Sequence, residues 1–225
     1  MKILIAVPTF ESIYPDVFKA IYDLDETYES ESDPVIPNEY IFEYIRGYDC
    51  ATARNNIIMT AQSKNADYVL MVDNDVIVPK KTIKWLLECN EEVVLGYYAH
   101  RDTDNIYRGN TCICKRYDNH GQLYFNYPLD SEYSALEMKA MRDEGNYKIQ
   151  IHGGGMGCAF IHMPVIDKLD YPWYDWVNYS DNHRGMLSED LYFCENLKRH
   201  GIPIYTDTRV ECGHIMRKAQ WCDVV

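Results

Sequence analysis

Apolar positions along the chain come in short unbroken runs, separated by stretches in which they recur every three or four residues. The run from Lys2 to Val7 predicts a strand that ends at Pro8-Thr9-Phe10. From about Tyr14 to Leu24 the side chains of Val17, Phe18, Ile21 and Leu24 share one face of a helix, with Pro15 in its first turn. The acidic, Pro-containing stretch Glu29 to Glu39 reads as a surface loop, and Tyr40 to Ile45 as a second strand. Asp49 to Lys64 predicts a helix with Ala53, Ile57, Ile58 and Ala61 inward. It delivers the chain to Tyr68-Val69-Leu70-Met71-Val72, a run long enough for a strand covered on both faces. That run stops at Asp73-Asn74-Asp75 and resumes as Val76-Ile77-Val78. Pro79 then opens a helix with Ile83, Leu86 and Leu87 inward, before a strand from Val93 to Tyr98. Strand and helix alternate throughout residues 2 to 98, which predicts an α/β fold with a doubly wound, mainly parallel sheet.

The pattern changes after residue 98. Thr111 to Arg116 and Gln122 to Phe125 flank Asp118-Asn119-His120-Gly121 as a hairpin, and Ser131 to Glu144 reads as a helix. Lys148 to His152 and Cys158 to His162 are short strands around Gly153-Gly154-Gly155-Met156-Gly157. Ser188 can cap a helix that begins at Glu189, buries Leu191, Cys194 and Leu197, and stops at Gly201. Ile202 to Tyr205 is a last strand, leading towards Gly213-His214. This mixed order predicts an α+β second half, residues 99–225, joined to a Rossmann-like first half, residues 1–98. No repeat or linker divides them, so 1–225 reads as a single domain.

Composition narrows the function. A 225-residue chain that is 47% hydrophobic can bury a substantial core. Its formal charge of −13 excludes a general nucleic-acid binder, because phosphate affinity is built from Lys and Arg. An anionic ligand would need a local device, such as a bound cation or a helix N-terminus. Eight cysteines are scattered without a CxxC pair, and Cys112 and Cys114 share one face of a strand, as packing residues do. Reduced thiols in a cytoplasmic protein are the simpler expectation. The first apolar segment is too short to read as a signal peptide, and no apolar run approaches the length of an integral membrane segment.

The candidate chemistry sits where runs end. Two acids one residue apart at the end of a buried strand, Asp73 and Asp75, can hold a hard divalent ion together with a diphosphate; the same residues also suit an ordinary Asx turn. Glu189 and Asp190 open a helix, where the N-terminal dipole favours carboxylates in any protein. His214 follows a predicted strand as either a ligand or a structural imidazole. The glycines at 153 to 157 lie between late strands, where a ligand can approach the main chain or the chain simply turns. Tyr171, Trp173, Tyr174, Trp176 and Tyr179 offer stacking faces to a sugar or fill the core.

Taken in order, these pieces form a series. With Val7-Pro8-Thr9, Ala51-Thr52-Ala53-Arg54-Asn55-Asn56 and Ser188-Glu189-Asp190-Leu191-Tyr192-Phe193-Cys194, the chain resembles the nucleotide-sugar glycosyltransferases of GT-A fold, family 2 in particular, over roughly residues 2 to 214. It departs from them in two places. Gly47-Tyr48-Asp49-Cys50 stands where an Asp-Asp-Gly-Ser type turn is usual, and the Gln-x-x-Arg-Trp motif of processive synthases is missing.

The resemblance implies transfer of a sugar from a UDP- or GDP-sugar donor to the hydroxyl of a carbohydrate or other acceptor, with inversion or, if Asp190 binds hydroxyls and removes no proton, with retention. It implies donor contacts from Pro8, Thr9, Asp49, Arg54, Asp73, Asp75, Gly154 and Gly155, with Arg217-Lys218 either assisting or forming a solvated tail. Asp73, Asp75 and His214 would hold a metal ion, Mn²⁺ or Mg²⁺, the nitrogen ligand favouring manganese. Asp190, beside Glu189, would be the catalytic base, and Trp173 and Trp176 would meet the acceptor. Two other readings stay open: a sugar-nucleotide nucleotidyltransferase, and a non-catalytic module of the same fold that binds nucleotide sugar and metal. Sequence assigns no oligomeric state.

Overall fold

The computed structural model describes residues 1–10, 12–24, 39–47, 49–100, 110–115, 132–178 and 186–215. The predicted 29–38 loop, the second strand and turn of the 111–125 hairpin, Tyr179 and Arg217-Lys218 lie outside them.

The first half alternates as its periodicity predicts. Strand β1 (Lys2–Thr9) leads to helix α1 (Pro15–Tyr22), β2 (Glu39–Arg46) to α2 (Cys50–Ser63), and β3 (Tyr68–Val72) through the two-residue β4 (Val76–Ile77) to α3 (Thr82–Glu88) and β5 (Val93–Tyr97). Each element has a local cause. Pro15 occupies the first turn of α1, where its missing N–H is no loss. Asp49 caps α2, its two oxygens accepting from the Thr52 amide at 3.0 Å and the Thr52 hydroxyl at 2.7 Å. Pro79 sits slightly upstream of α3, its carbonyl accepting both the amide and the hydroxyl of Thr82.

The second half adds β6 (Asn110–Cys114), β7 (Glu132–Ser134), α4 (Ala135–Asp143), β8 (Lys148–Ile151), β9 (Gly153–Gly154) and β10 (Cys158–His162). A 3₁₀ turn, Met163–Lys168, follows, then β11 (Val177–Asn178), β12 (Met186–Leu187), α5 (Glu189–Arg199), β13 (Ile204–Glu211) and β14 (Gly213–His214). The helix expected from Ser131 begins at Ala135, because Ser134 and Glu137 form a reciprocal capping box there and the residues before it extend into β7. Strand β13 runs six residues past the predicted end at Tyr205. Its buried Thr206, Asp207 and Thr208 hide the strand pattern, and Arg209 compensates Asp207.

Seven strands form the central sheet in the order β2-β1-β3-β10-β5-β13-β8. The pairs β1–β2, β1–β3 and β5–β13 are parallel; β10 runs antiparallel to both β3 and β5, and β8 antiparallel to β13. The sheet is therefore mixed and mainly parallel. Its middle is apolar throughout, with Ile3, Leu4, Val69, Leu70, Val93, Val94, Ala159 and Ile161 fully buried. Helix α2 packs over β1 to β3, and α3 over β5 and β13. A three-stranded sheet, β7-β6-β9, carries the glycine-rich segment beside the main one.

This topology gathers the candidate residues. Strands β1, β3, β5 and β13 end at the same edge, and β10 begins there because it runs the other way. The Asp73 amide donates to the Gly157 carbonyl at 2.9 Å, which joins the acidic turn to the glycine turn.

Candidate active site

Arg54 is the centre of the site. It lies within α2, on the helix face that packs onto the sheet, and its side chain is only 2% exposed. A guanidinium so buried must be matched by acceptors. Its Nη2 stands 3.1 Å from Asp73 Oδ1, and its Nε stands 3.2 Å from Asp190 Oδ1 and 3.6 Å from Glu189 Oε1. Nη1 donates to the Met156 carbonyl at 3.3 Å, in the glycine turn. One cation thus joins acids from the end of β3 and the start of α5, held far apart in sequence.

The same packing fixes Arg54 from the other side. The neighbouring Asn55 donates from Nδ2 to the Tyr174 carbonyl at 2.7 Å and accepts the Tyr174 amide at 3.2 Å. That clamp holds the Tyr174 ring stacked on Phe193 of α5 at 4.5 Å, with the Arg54 guanidinium 6.0 Å from the ring centre.

Three carboxylates face one guanidinium, and the excess negative charge shows in Asp190. Burial pushes its carboxyl up to about 7; Arg54 opposes the rise, while Glu189 and Asp73 add to it. Arg54 itself is held charged, because its acids together outweigh its own desolvation. Asp190 Oδ1 makes no hydrogen bond among the described residues: it faces Arg54 Nε without the alignment a bond needs. Ser188 caps α5 with its hydroxyl towards the Leu191 amide, which sets Glu189 and Asp190 in the first turn.

Asp75 and His214 form a second group, each side chain 13% exposed. Strand β14 pairs antiparallel with β4, setting His214 opposite Val76, and the Ile215 amide donates to the Asp75 carbonyl at 2.9 Å. His214 Nδ1 lies 2.8 Å from the Ala99 carbonyl. A carbonyl only accepts, so Nδ1 carries hydrogen, and in the neutral ring Nε2 presents its lone pair towards Asp75 Oδ1, 3.7 Å away. A carbonyl-anchored imidazole facing a carboxylate oxygen is a donor set suited to a divalent cation, whose ligands stand about 3–4 Å apart. Asp73 is turned to Arg54. Among the described residues no group of three His, Cys, Asp or Glu side chains is arranged to hold a metal.

Tyr98 connects the two groups. Its hydroxyl accepts the Gly157 amide at 3.0 Å, and its ring meets His214 edge-on at 5.0 Å. A Cβ at Gly155 would lie 2.4 Å from that hydroxyl, so glycine here admits the tyrosine. Burial keeps the Tyr98 phenol well above its ordinary range, hence neutral.

The remaining predicted contacts are placed as follows. Pro8 and Thr9 close β1 at this edge, with Thr9 donating to the Ser12 carbonyl at 3.0 Å. Asp49 sits at the α2 N-terminus, its carboxyl held below the usual range by the Thr52 amide and hydroxyl, with a smaller contribution from Trp176. Gly154 is buried in β9 against Ile113 and Leu95. Trp173 packs into the core, with Tyr171 edge-on at 5.2 Å, whereas Trp176 is exposed beside Asp49. By sequence Asn55 reads only within the Ala51 to Asn56 segment, Tyr174 only as one of five rings that meet a sugar or fill the core, and Tyr98 is not singled out. The signal available for the first was a polar pair, Arg54-Asn55, between inward-facing Ala53 and Ile57.

No protein-family model matches the chain, and no curated protein matches it in sequence. In fold it is similar to the crystal structure of A197 from STIV, with a TM-score of 0.58 and 17% identity, over 96% of this chain and 87% of that one. At that identity the likeness concerns the architecture alone.

Proposed function

We propose that the chain is a metal-dependent glycosyltransferase of GT-A type, moving a sugar from a UDP- or GDP-sugar to an acceptor hydroxyl with inversion. The observation that carries this reading is the buried Arg54, which joins Asp73, Glu189 and Asp190 at the strand-end edge and leaves Asp190 with a carboxyl near neutrality. A base poised near 7 suits proton removal from a hydroxyl.

In this mechanism the Asp190 carboxylate takes the acceptor proton as the hydroxyl oxygen bonds to the anomeric carbon and the bond from that carbon to the diphosphate oxygen breaks. Arg54 orients Asp190 and Asp73 and is not a donor contact, since its charge is turned to its own acids. Asp75 and His214 would hold Mn²⁺ or Mg²⁺, with the donor diphosphate supplying further oxygens. When bound, that ion supplies positive charge to the leaving nucleoside diphosphate, which a chain of −13 otherwise lacks. Trp176, at the exposed rim beside Asp49, is better placed than Trp173 to meet a sugar.

Calorimetric titration with UDP- and GDP-sugars, with and without Mn²⁺, tests the reading. The expected result is binding that requires the ion, lost by at least about tenfold in Asp75→Ala. Asp190→Asn should bind like the wild type and lose about 10²–10⁴-fold in turnover. Absence of binding to every nucleotide sugar in both conditions overturns the assignment.

A further inference from the structure

The outer edge of the central sheet is β2, and no other strand among the described residues pairs with it there. Alternation sets Tyr40, Phe42 and Tyr44 on one face, and Ile41, Glu43 and Ile45 on the other. Phe42 is 39% exposed and Tyr44 56%. Helix α1 extends this aromatic surface. Its exposed Phe18 meets Phe42 edge-on at 6.3 Å, and its exposed Tyr22 follows one turn later. Both line a cleft of about 1180 Å³ between α1 and the β1–β2 edge. A long strand at a sheet edge with exposed aromatic rings invites a second strand unless something closes it.

We propose that two copies of this chain pair through β2, antiparallel about a two-fold axis, with Phe42 opposite its counterpart in the second copy. The register follows from symmetry and charge. A two-fold axis normal to the sheet keeps each face continuous, so opposed residues must come from the same face. Centred on Phe42, residues 39–45 pair with Tyr40 opposite Tyr44, Ile41 opposite Glu43 and Glu39 opposite Ile45. Centred on Glu43, two carboxylates meet on the axis; centred on Ile41, Glu39 opposes Glu43. Both place like charges face to face, which destabilises a sheet pair. Centring on Tyr44 avoids that but pairs only residues 42–46. In the Phe42 register Glu43 keeps its own ion pair with Lys64 at 3.0 Å, and the Phe18 and Phe42 rings of both copies cluster at the axis. The contact is isologous, so it closes at two copies and uses up the edge.

Light scattering on a sizing column, at about 100 μM and moderate salt, tests this above the Kd of even a weak specific interface. The expected mass is twice that of the chain, and the dimer should tighten as salt screens the −13 charge of each copy. Phe42→Arg should run as a monomer with an unchanged circular-dichroism spectrum. Under mild oxidation Phe42→Cys should form a covalent dimer, because opposed residues across the axis have their Cα atoms about 4.5–5.5 Å apart. Phe10→Cys, more exposed and just past the end of β1, should not, and the wild type with its exposed Cys50 gives the background. A wild-type monomer at that concentration, a dimer that survives Phe42→Arg, or cross-linking as fast through Phe10→Cys would overturn the proposal.

Discussion

The Arg54 cluster and the Asp75–His214 pair share one edge of the sheet yet are built on opposite electrostatic plans. Around Arg54 the charges are in excess of one sign: three carboxylates face one buried guanidinium. At Asp75 and His214 a carboxylate and an imidazole, each 13% exposed, face each other, anchored by main-chain groups on either side. The first plan stores negative charge and holds a carboxyl near neutrality. The second sets one imidazole against one carboxylate, the pair proposed above to take a cation. A transferase that must both deprotonate an acceptor and neutralise a diphosphate has use for both.

The contrast breaks most severely at Arg54. Arg54→Met leaves Asp73, Glu189 and Asp190 facing one another without a cation, and removing one partner of a buried ion pair costs about 3–5 kcal/mol. The loss should be greatest at pH 8 and shrink towards pH 5, as the orphaned acids take up protons. Adding Asp190→Asn to Arg54→Met should restore part of it. Urea melts of the four variants at both pH values measure this directly. A change below about 1 kcal/mol at pH 8 would show that the cluster does not depend on its cation.

The part of this site that sequence made legible is the part carried by local signals. The run from Tyr68 to Val72 ending in two acids, the Ser188 cap before Glu189-Asp190, and the helix start at Asp49 each depend on a few adjacent residues, and each stands within a residue of where the pattern set it. Arg54 was legible as a residue of interest but not as a buried hub. An arginine inside a helix ordinarily points to water, and what buries this one are acids distant in the chain. The insertion of β10 between β3 and β5 was hidden for a similar reason: an apolar strand has the same pattern whichever way it runs. Strands β4, β9, β11, β12 and β14 are two residues long and carry no period at all. Trp173 and Trp176 look alike in sequence, yet one packs into the core and the other stands at the rim.

Asp190 sharpens the comparison with an effect of opposite sign to that of Arg54. Its carboxyl titrates near 7 in the folded chain against an ordinary value of 3.8, so the folded state binds this proton more tightly than the unfolded state. Its contribution to stability is complete below about pH 4 and is lost as pH rises through 7. Asn cannot ionise. Asp190→Asn should therefore gain on the wild type between pH 4 and 8, reaching a stabilisation on the order of 4 kcal/mol at the upper end. The same titration should give the wild-type rate a rising limb centred near pH 7, absent in the variant's residual activity. A stability difference that stays flat with pH would mean that Asp190 ionises as an exposed acid does.

The smallest effect falls on His214, where the second plan can be separated from the first. Without metal, His214→Gln should change stability by less than about 1 kcal/mol, because the pair is wide at 3.7 Å and β14 is held by main-chain bonds. Mn²⁺ with UDP at five times its Kd should stabilise the wild type by about 1 kcal/mol, a rise in Tm of roughly 2–4 °C for a chain of this size. In His214→Gln that rise should be mostly lost, while the pH dependence set by Asp190 stays in place. Thermal shifts with and without the ion, at pH 6 and 8, resolve the two. If His214→Gln leaves the ion's effect intact, the imidazole belongs to the Tyr98 packing and the cation is held elsewhere; if it also moves the Asp190 titration, the two plans are a single network.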